Sequence, residues 1–218
     1  MDLIAIGDVH GCARSMDDLL EKLDPGSDDH LVFIGDYVDR GPDSKGVIDR
    51  LLRLRHEVKC TFLRGNHEAL MLEFLEDGES DVWVFNGGTQ TMVSYQTDDG
   101  TTHIPRTHVE FLQQTELYLE TDEFLFVHAG LRADMTVAAN LEQCDESVFL
   151  WERDHLNVPD PPWEKTVVCG HTPVAEPTNR ERLINIDTGC VFHAHSHLGR
   201  LTAVRLPERE FVFVDYSG

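Results

Sequence analysis

No two cysteines in this chain stand in a C-x-x-C spacing, and the five present (Cys12, Cys60, Cys144, Cys169 and Cys190) are odd in number and widely scattered. That pattern excludes a zinc ribbon and a disulfide framework and reads as reduced thiols in a cytoplasmic protein. No uncharged apolar run approaches bilayer-spanning length. The N-terminus also lacks a charged stretch followed by an apolar one, because Asp2-Leu3-Ile4-Ala5-Ile6 runs straight into a Gly-Asp pair. Neither a membrane partner nor a secretory leader is therefore expected. Basic residues are scarce: eighteen Lys and Arg, only four of them Lys, oppose forty Asp and Glu for a net charge of −22 with His neutral. Such a balance argues against an electrostatic grip on nucleic acid or on anionic lipid. A solvated acidic surface accounts for it, with adaptation to high internal salt as the second reading. Repeats and low-complexity tracts are missing too. With 218 residues, 41% of them hydrophobic, the chain is long enough for one cored domain over 1–218, and the three-proline stretch 154–162 reads as a loop.

What the sequence does contain is a recurring β-rich run that stops at a polar residue. Runs 3–7, 31–35, 58–65, 124–127 and 166–170 end at Asp8, Asp36, Asn66, His128 and His171 respectively. Short apolar runs bounded by glycine predict buried strands. Apolar residues at helical spacing predict helices over 14–23, 44–55, 68–75 and 106–114. The tail is β-rich over 182–187, 198–206 and 210–216, with Pro207-Glu208-Arg209-Glu210 as a hairpin turn. An alternating α/β body with a strand-rich end follows, and in such folds strand ends and the loops after them build the site.

Taken as a set, Asp8, His10, Asp36, Asn66, His128 and His171 offer carboxylate, imidazole and amide oxygen ligands without thiolate. These suit hard or borderline divalent ions such as Mn, Fe or Zn. A carboxylate can bridge two ions, and water between them becomes a strong nucleophile. Each residue alone reads more simply, Asp8 and Asp36 as turn residues and either histidine as structural; order and number favour the site. Gly7, Gly35, Gly65 and Gly170 fit backbone needs at strand ends.

Three segments, Gly7-Asp8-Val9-His10-Gly11, Gly35-Asp36-Tyr37-Val38-Asp39-Arg40-Gly41 and Arg64-Gly65-Asn66-His67-Glu68, resemble the signatures of PPP-type serine/threonine protein phosphatases. Val127-His128-Ala129-Gly130 and Gly170-His171-Thr172-Pro173 follow in the same order, so the likeness runs from Ile6 to about Ala203. The compact length is similar to the bacterial, archaeal and phage branch. The resemblance implies the calcineurin-like metallophosphoesterase sandwich, an α/β fold of two mixed β-sheets flanked by helices. It implies two divalent ions, with Mn first and Fe or Zn as other candidates. Asp8 and His10 would hold one ion, Asn66, His128 and His171 the other, with Asp36 shared. His67 would be the general acid, oriented by Asp39. Arg40, Arg64 and Arg153 (in Leu150-Trp151-Glu152-Arg153) would bind phosphate oxygens.

The function so implied is hydrolysis of phosphoserine and phosphothreonine in a phosphorylated protein, by direct attack without a phosphoenzyme; small phosphate esters would also serve. The nearest rival is a dinucleoside polyphosphate hydrolase of the symmetrically cleaving kind. That group tends to carry Gln at the position of His10 and Ala at that of Asp39, so the residues present favour the protein phosphatase. A nucleotide or RNA 5′-end phosphatase and a catalytically dead scaffold rank lower, since no ligand is missing. One stretch departs from the pattern: His193-Ala194-His195-Ser196-His197 follows Asp187-Thr188-Gly189-Cys190-Val191-Phe192. If extended, its three imidazoles would share one face and could hold a metal; a solvated loop is the simpler expectation. Trp151 and Trp163 read as packing residues.

Overall fold

The computed structural model describes residues 2–78 and 81–218. Its first half alternates β1 (Leu3–Ile6), α1 (Ala13–Leu23), β2 (His30–Phe33), α2 (Ser44–Leu54), β3 (Lys59–Phe62) and α3 (Asn66–Asp77). A broken helical stretch follows: α4 (Asp81–Trp83), a π-helical turn at Val84–Gly88, α5 (Thr89–Ser94), and then α6 (Arg106–Gln113). The second half runs β4 (Tyr118–Glu120), β5 (Phe124–Val127), α7 (Val137–Gln143), α8 (Glu146–Trp151), β6 (Thr166–Cys169), β7 (Thr178–Asn179), β8 (Leu183–Asn185), β9 (Arg200–Leu206) and β10 (Glu210–Asp215). Two five-stranded mixed sheets result, with strand orders β10-β9-β1-β2-β3 and β4-β5-β6-β8-β7. Within them β1, β2 and β3 run parallel, as do β5, β6 and β8.

Strand alternation explains the layering. Ile4, Ile6, Leu31 and Phe33 point into one apolar cluster with Met16 and Leu19 of α1 and Val47 and Ile48 of α2. Their neighbours Ala5 and Val32 turn the other way, into a second cluster with Phe124, Phe126, Val168 and Ile184 from the opposite sheet. Leu125, Val127, Val167 and Cys169 then face a third cluster with Val137 of α7 and Phe149 of α8. Side chains that alternate between faces can bury both sides of each sheet only if helices cover the outside, which gives four layers. The predicted sandwich, its four early helices and its C-terminal hairpin are all present; β9 and β10 pair antiparallel. The helical stretch 81–94 and the short helices α7 and α8 have no counterpart in the sequence reading. Among the described residues no helix is long and apolar enough to cross a membrane, and all five cysteines are free.

His155 lies beneath this second sheet, buried, with its Nδ1 unpartnered and Nε2 3.8 Å from the Cys169 sulfur. Burial, helped by the Arg180 charge, pulls its imidazole from 6.5 to about 4. Between those two values the unfolded chain binds the proton and the folded chain refuses it, so stability falls as pH drops through that window. The loss reaches about 2 kcal/mol between pH 7.5 and 5. His155→Gln should remove that part of the acid slope, read as a smaller difference in urea midpoint between the two pH values; an unchanged slope would refute the assignment.

Candidate active site

Six buried polar side chains meet where parallel strands end: Asp8 after β1, Asp36 after β2, Asn66 after β3, His128 after β5, His171 after β6 and Asp187 after β8. Strand direction sets the meeting point, since parallel strands deliver their C-terminal loops to one edge. The backbone there is held in a costly conformation. Among the described residues seven non-glycine positions have positive φ, and five of them, His10, Asp36, Asp39, Arg40 and His171, lie in this cluster or in the loops beside it. Strain of that kind persists only where surrounding contacts enforce it, and it gathers at functional sites. Close approach requires glycine at several of these positions, Gly35 and Gly170 among them. Gly35 adopts φ +112° against the Gly65 backbone, and a Cβ on Gly170 would strike the Asp8 carboxylate.

Asp36 is the centre of the geometry. Its Oδ2 lies 3.3 Å from His10 Nε2 and its Oδ1 3.4 Å from His128 Nε2. The Asn66 carbonyl oxygen is 2.9 Å from both His128 Nε2 and His171 Nδ1. Backbone carbonyls fix two of the rings: His10 Nδ1 is 2.9 Å from Val38 O and His128 Nδ1 3.1 Å from Ile34 O, leaving each Nε2 facing the centre. Ligand-capable atoms of His10, Asp36 and His67 all lie within 4.8 Å of one another, and those of Asp36, His128 and His171 do likewise.

The electrostatics suit cations. Burial opposes the Asp36 charge, yet the surrounding imidazoles of His128, His67, His10 and His171 hold its carboxyl well below the usual range. Burial lowers the His10 and His128 imidazoles, and burial together with His128 pulls His171 down to about 3; each ring that gives up its proton offers a lone pair to a cation. Asp8 is pushed up by burial and by Asp187 and Asp36; Asp187 is pushed up to about 7 by burial and Asp36. Three carboxylates crowded out of water need positive charge among them. Asp8 Oδ1 is moreover buried with no hydrogen-bond partner. An oxygen- and nitrogen-rich donor set with such an orphaned carboxylate oxygen fits divalent metal.

His67 stands in the first turn of α3 beside the cluster. Its Nδ1 is 2.7 Å from Asp39 Oδ2, while Nε2 is buried without a partner. Asp39 also accepts from Trp83 Nε1 at 2.9 Å and Thr91 Oγ1 at 2.7 Å. Burial lowers the His67 imidazole, but the charge of Asp36 and the bond to Asp39 outweigh it, and the group sits above its ordinary value. Trp83 and Thr91 come from the stretch 81–94, and Gly87 O accepts from Arg40 N (3.2 Å), so that stretch braces the loop carrying Asp39 and Arg40.

Of the three arginines, two border the cluster. Arg40 approaches His10 Nε2 at 2.7 Å, and Arg153 Nε donates to His171 Nε2 at 2.9 Å. Arg64 is not brought there, which corrects its reading as a phosphate ligand. Leu63 points between the sheets and Phe62 packs toward the helical side. The pleat sends Arg64 the same way as Phe62, where its guanidinium donates to Thr115 Oγ1 and the carbonyls of Gln113 and Thr115. The histidine-rich loop is also settled: residues 193–197 form turns and bends, and His193 stacks on Tyr216 at 3.8 Å. The three imidazoles therefore do not line one extended face, and the solvated-loop expectation holds.

Two residues were overlooked. Asp187 ends a β-rich run just as Asp8 and Asp36 do, and that pattern could have revealed it. Glu68 is buried and accepts backbone N–H bonds from Asp36, Tyr37 and Gly65 at 2.8 Å and from Val38 at 3.3 Å. It thus ties the Asp36 loop to the start of α3. Each stranded buried donor costs about 1–3 kcal/mol, so Glu68→Ala should destabilise the fold by roughly 4 kcal/mol or more. Glu68→Gln, which keeps one acceptor oxygen, should lose less. Urea unfolding of both variants checks the order.

A four-layer sandwich with this cluster at the strand ends defines a metallophosphoesterase, and the sequence pattern of the calcineurin-like phosphoesterases matches residues 1–199; the chain belongs to that family. A bis(5′-nucleosyl)-tetraphosphatase PrpE [asymmetrical] of Oceanobacillus iheyensis is 32% identical, covering 98% of this chain and 92% of that protein. The protein of the same description from Anoxybacillus flavithermus is 33% identical over 96% and 92% of the two chains. Among solved structures, one described as a candidate diadenosine tetraphosphatase is 25% identical with a TM-score of 0.73, covering 100% of this chain and 94% of its own. A serine/threonine phosphatase of Saccharomyces cerevisiae shares the fold, with a TM-score of 0.68 at 16% identity over 100% of this chain and 80% of its own.

These likenesses overturn the protein phosphatase expectation. The inference from His10 and Asp39 separated the protein enzymes from symmetrically cleaving dinucleotide enzymes only; the relatives above are described as asymmetrical. Signature residues of this kind speak to the phosphoryl group alone, and that group is alike in a phosphoprotein and a dinucleotide.

Proposed function

We propose that this chain is a metal-dependent hydrolase of dinucleoside polyphosphates that cleaves a bis(5′-nucleosyl) tetraphosphate into a nucleoside monophosphate and a triphosphate. The observation that carries this is the end-to-end similarity to tetraphosphatases, above 90% coverage of both partners. Asp8, His10 and Asp36 would hold one divalent ion and Asp36, Asn66, His128 and His171 another, with Mn, Fe or Zn suited to the donors. A pair of such ions supplies an acidified water and neutralises charge growing on phosphorus. The chain itself positions the anhydride: Arg40 and Arg153 bind phosphate oxygens, for which a planar guanidinium is shaped. His67 Nε2 delivers a proton to the departing oxygen. Asp39 keeps that proton donor oriented and supports its charged form.

Metal-loaded protein should be given diadenosine tetraphosphate and, separately, a phosphoserine peptide, with products resolved by ion exchange. AMP and ATP in equal amounts, with far slower release from the peptide, is the expected outcome. ADP as the sole product, or no cleavage of the dinucleotide, would refute the proposal.

A further inference from the structure

An unassigned groove runs between α3 and α8 beside the cluster. Asn66, the proposed metal ligand, opens α3, and Leu70 and Glu73 further along it form one wall. Glu146, Ser147, Leu150 and Trp151 of α8 form the other, around a space of about 350 Å³. Trp151 closes the end nearest the site: its ring meets that of His171 edge-on, with centroids 5.8 Å apart. It is 41% exposed, whereas Trp83 and Trp163 are 0% and 3% exposed. Two residues on, Arg153 touches the same histidine, and among the described residues its terminal amino groups have no hydrogen-bond partner.

An exposed indole anchored beside a phosphate-binding arginine needs explanation, because packing alone would bury it. The groove has an apolar floor and two carboxylates, Glu73 and Glu146, at its rim. Those charges repel phosphate and instead accept hydrogen bonds from an amino group or a sugar hydroxyl. Flat aromatic faces bind nucleobases by stacking, and a few hundred Å³ with an apolar lining and a few polar groups suits a small organic moiety. We propose that this groove is a nucleoside subsite, in which Trp151 stacks the base while Arg153 holds the adjoining phosphate. The inference rests on the dinucleotide reading above and deepens it: one end of the substrate is recognised by its base, between α3 and α8.

The test uses metal-loaded wild type, Trp151→Ala and Trp151→Phe, with AMP and orthophosphate as probes. AMP should quench the wild-type tryptophan emission, and Trp151→Phe should abolish the quench because the remaining indoles are buried. Trp151→Ala should raise KM for diadenosine tetraphosphate and the inhibition constant of AMP about 10-fold, with kcat changed far less. Orthophosphate inhibition should stay unchanged in both variants, and Trp151→Phe should recover most of the affinity. Hydrolysis of the dinucleotide with unaltered KM and AMP inhibition in Trp151→Ala would overturn the subsite and leave the reaction standing. Quenching by AMP through Trp151 without any dinucleotide hydrolysis would do the reverse. If Trp151→Ala fails to fold, absence of quenching in the wild type still refutes the proposal.

Discussion

Asp36→Asn should leave at most one tightly bound metal ion where the wild type holds two, and should slow dinucleotide hydrolysis by about 10³-fold, the rate equivalent of losing ~4 kcal/mol of charge stabilisation. Asp36 is the one side chain common to both ligand groups, with one oxygen toward His10 and the other toward His128. An amide offers a single neutral oxygen and cannot serve both. Its backbone N–H remains tied to Glu68 at 2.8 Å, so the loop keeps its course. Metal should raise the melting temperature of the wild type more than that of the variant, because binding to the folded state alone adds stability. Elemental analysis together with melting curves decides this; two ions retained by Asp36→Asn would remove Asp36 from its bridging role.

His67→Asn should cut turnover of an alkyl phosphate by about 10²–10⁴-fold, the usual share of a positioned acid. The loss on diadenosine tetraphosphate should be at least tenfold smaller by order of magnitude, because a departing polyphosphate is far less basic than an alkoxide and needs its proton less. The backbone N–H of residue 67 keeps its 3.2 Å bond to Asp36, while the shorter amide cannot bring a proton to the position of Nε2. Metal content should be unchanged. Equal loss on both substrates, or loss of an ion, would mean that His67 acts as a ligand; its closeness to His10 and Asp36 makes that outcome measurable rather than idle.

The two arginines at the cluster and the one away from it show where reading by pattern stops. Arg40 and Arg153 are linked to the site by contacts with His10 and His171, residues 30 and 18 positions away. Arg64 sits beside Asn66 in sequence, yet the pleat of the extended chain turns it to α6. Trp83 and Thr91 reach Asp39 across 44 and 52 positions, and nothing in their own neighbourhood marks that role. Asp187 lacked an accompanying imidazole, so its run looked like any strand ending in a turn.

By itself the sequence determined the sandwich and six proposed metal ligands. Buried strands carry their own signature in short apolar runs, and each proposed ligand follows one within a few residues. That local information also carried the general reading of the donor set, since its residue types suit divalent metal. Only the tertiary structure decided which side chains face one another: that Asp36 lies between His10 and His128, that Glu68 ties down its loop, that the three late histidines turn away, and that α3 and α8 enclose a groove beside His171. These depend on layer packing and strand direction, which join residues far apart in the chain. Substrate choice belongs to the same class, because the walls that could tell a nucleoside from a protein are assembled from elements some eighty residues apart.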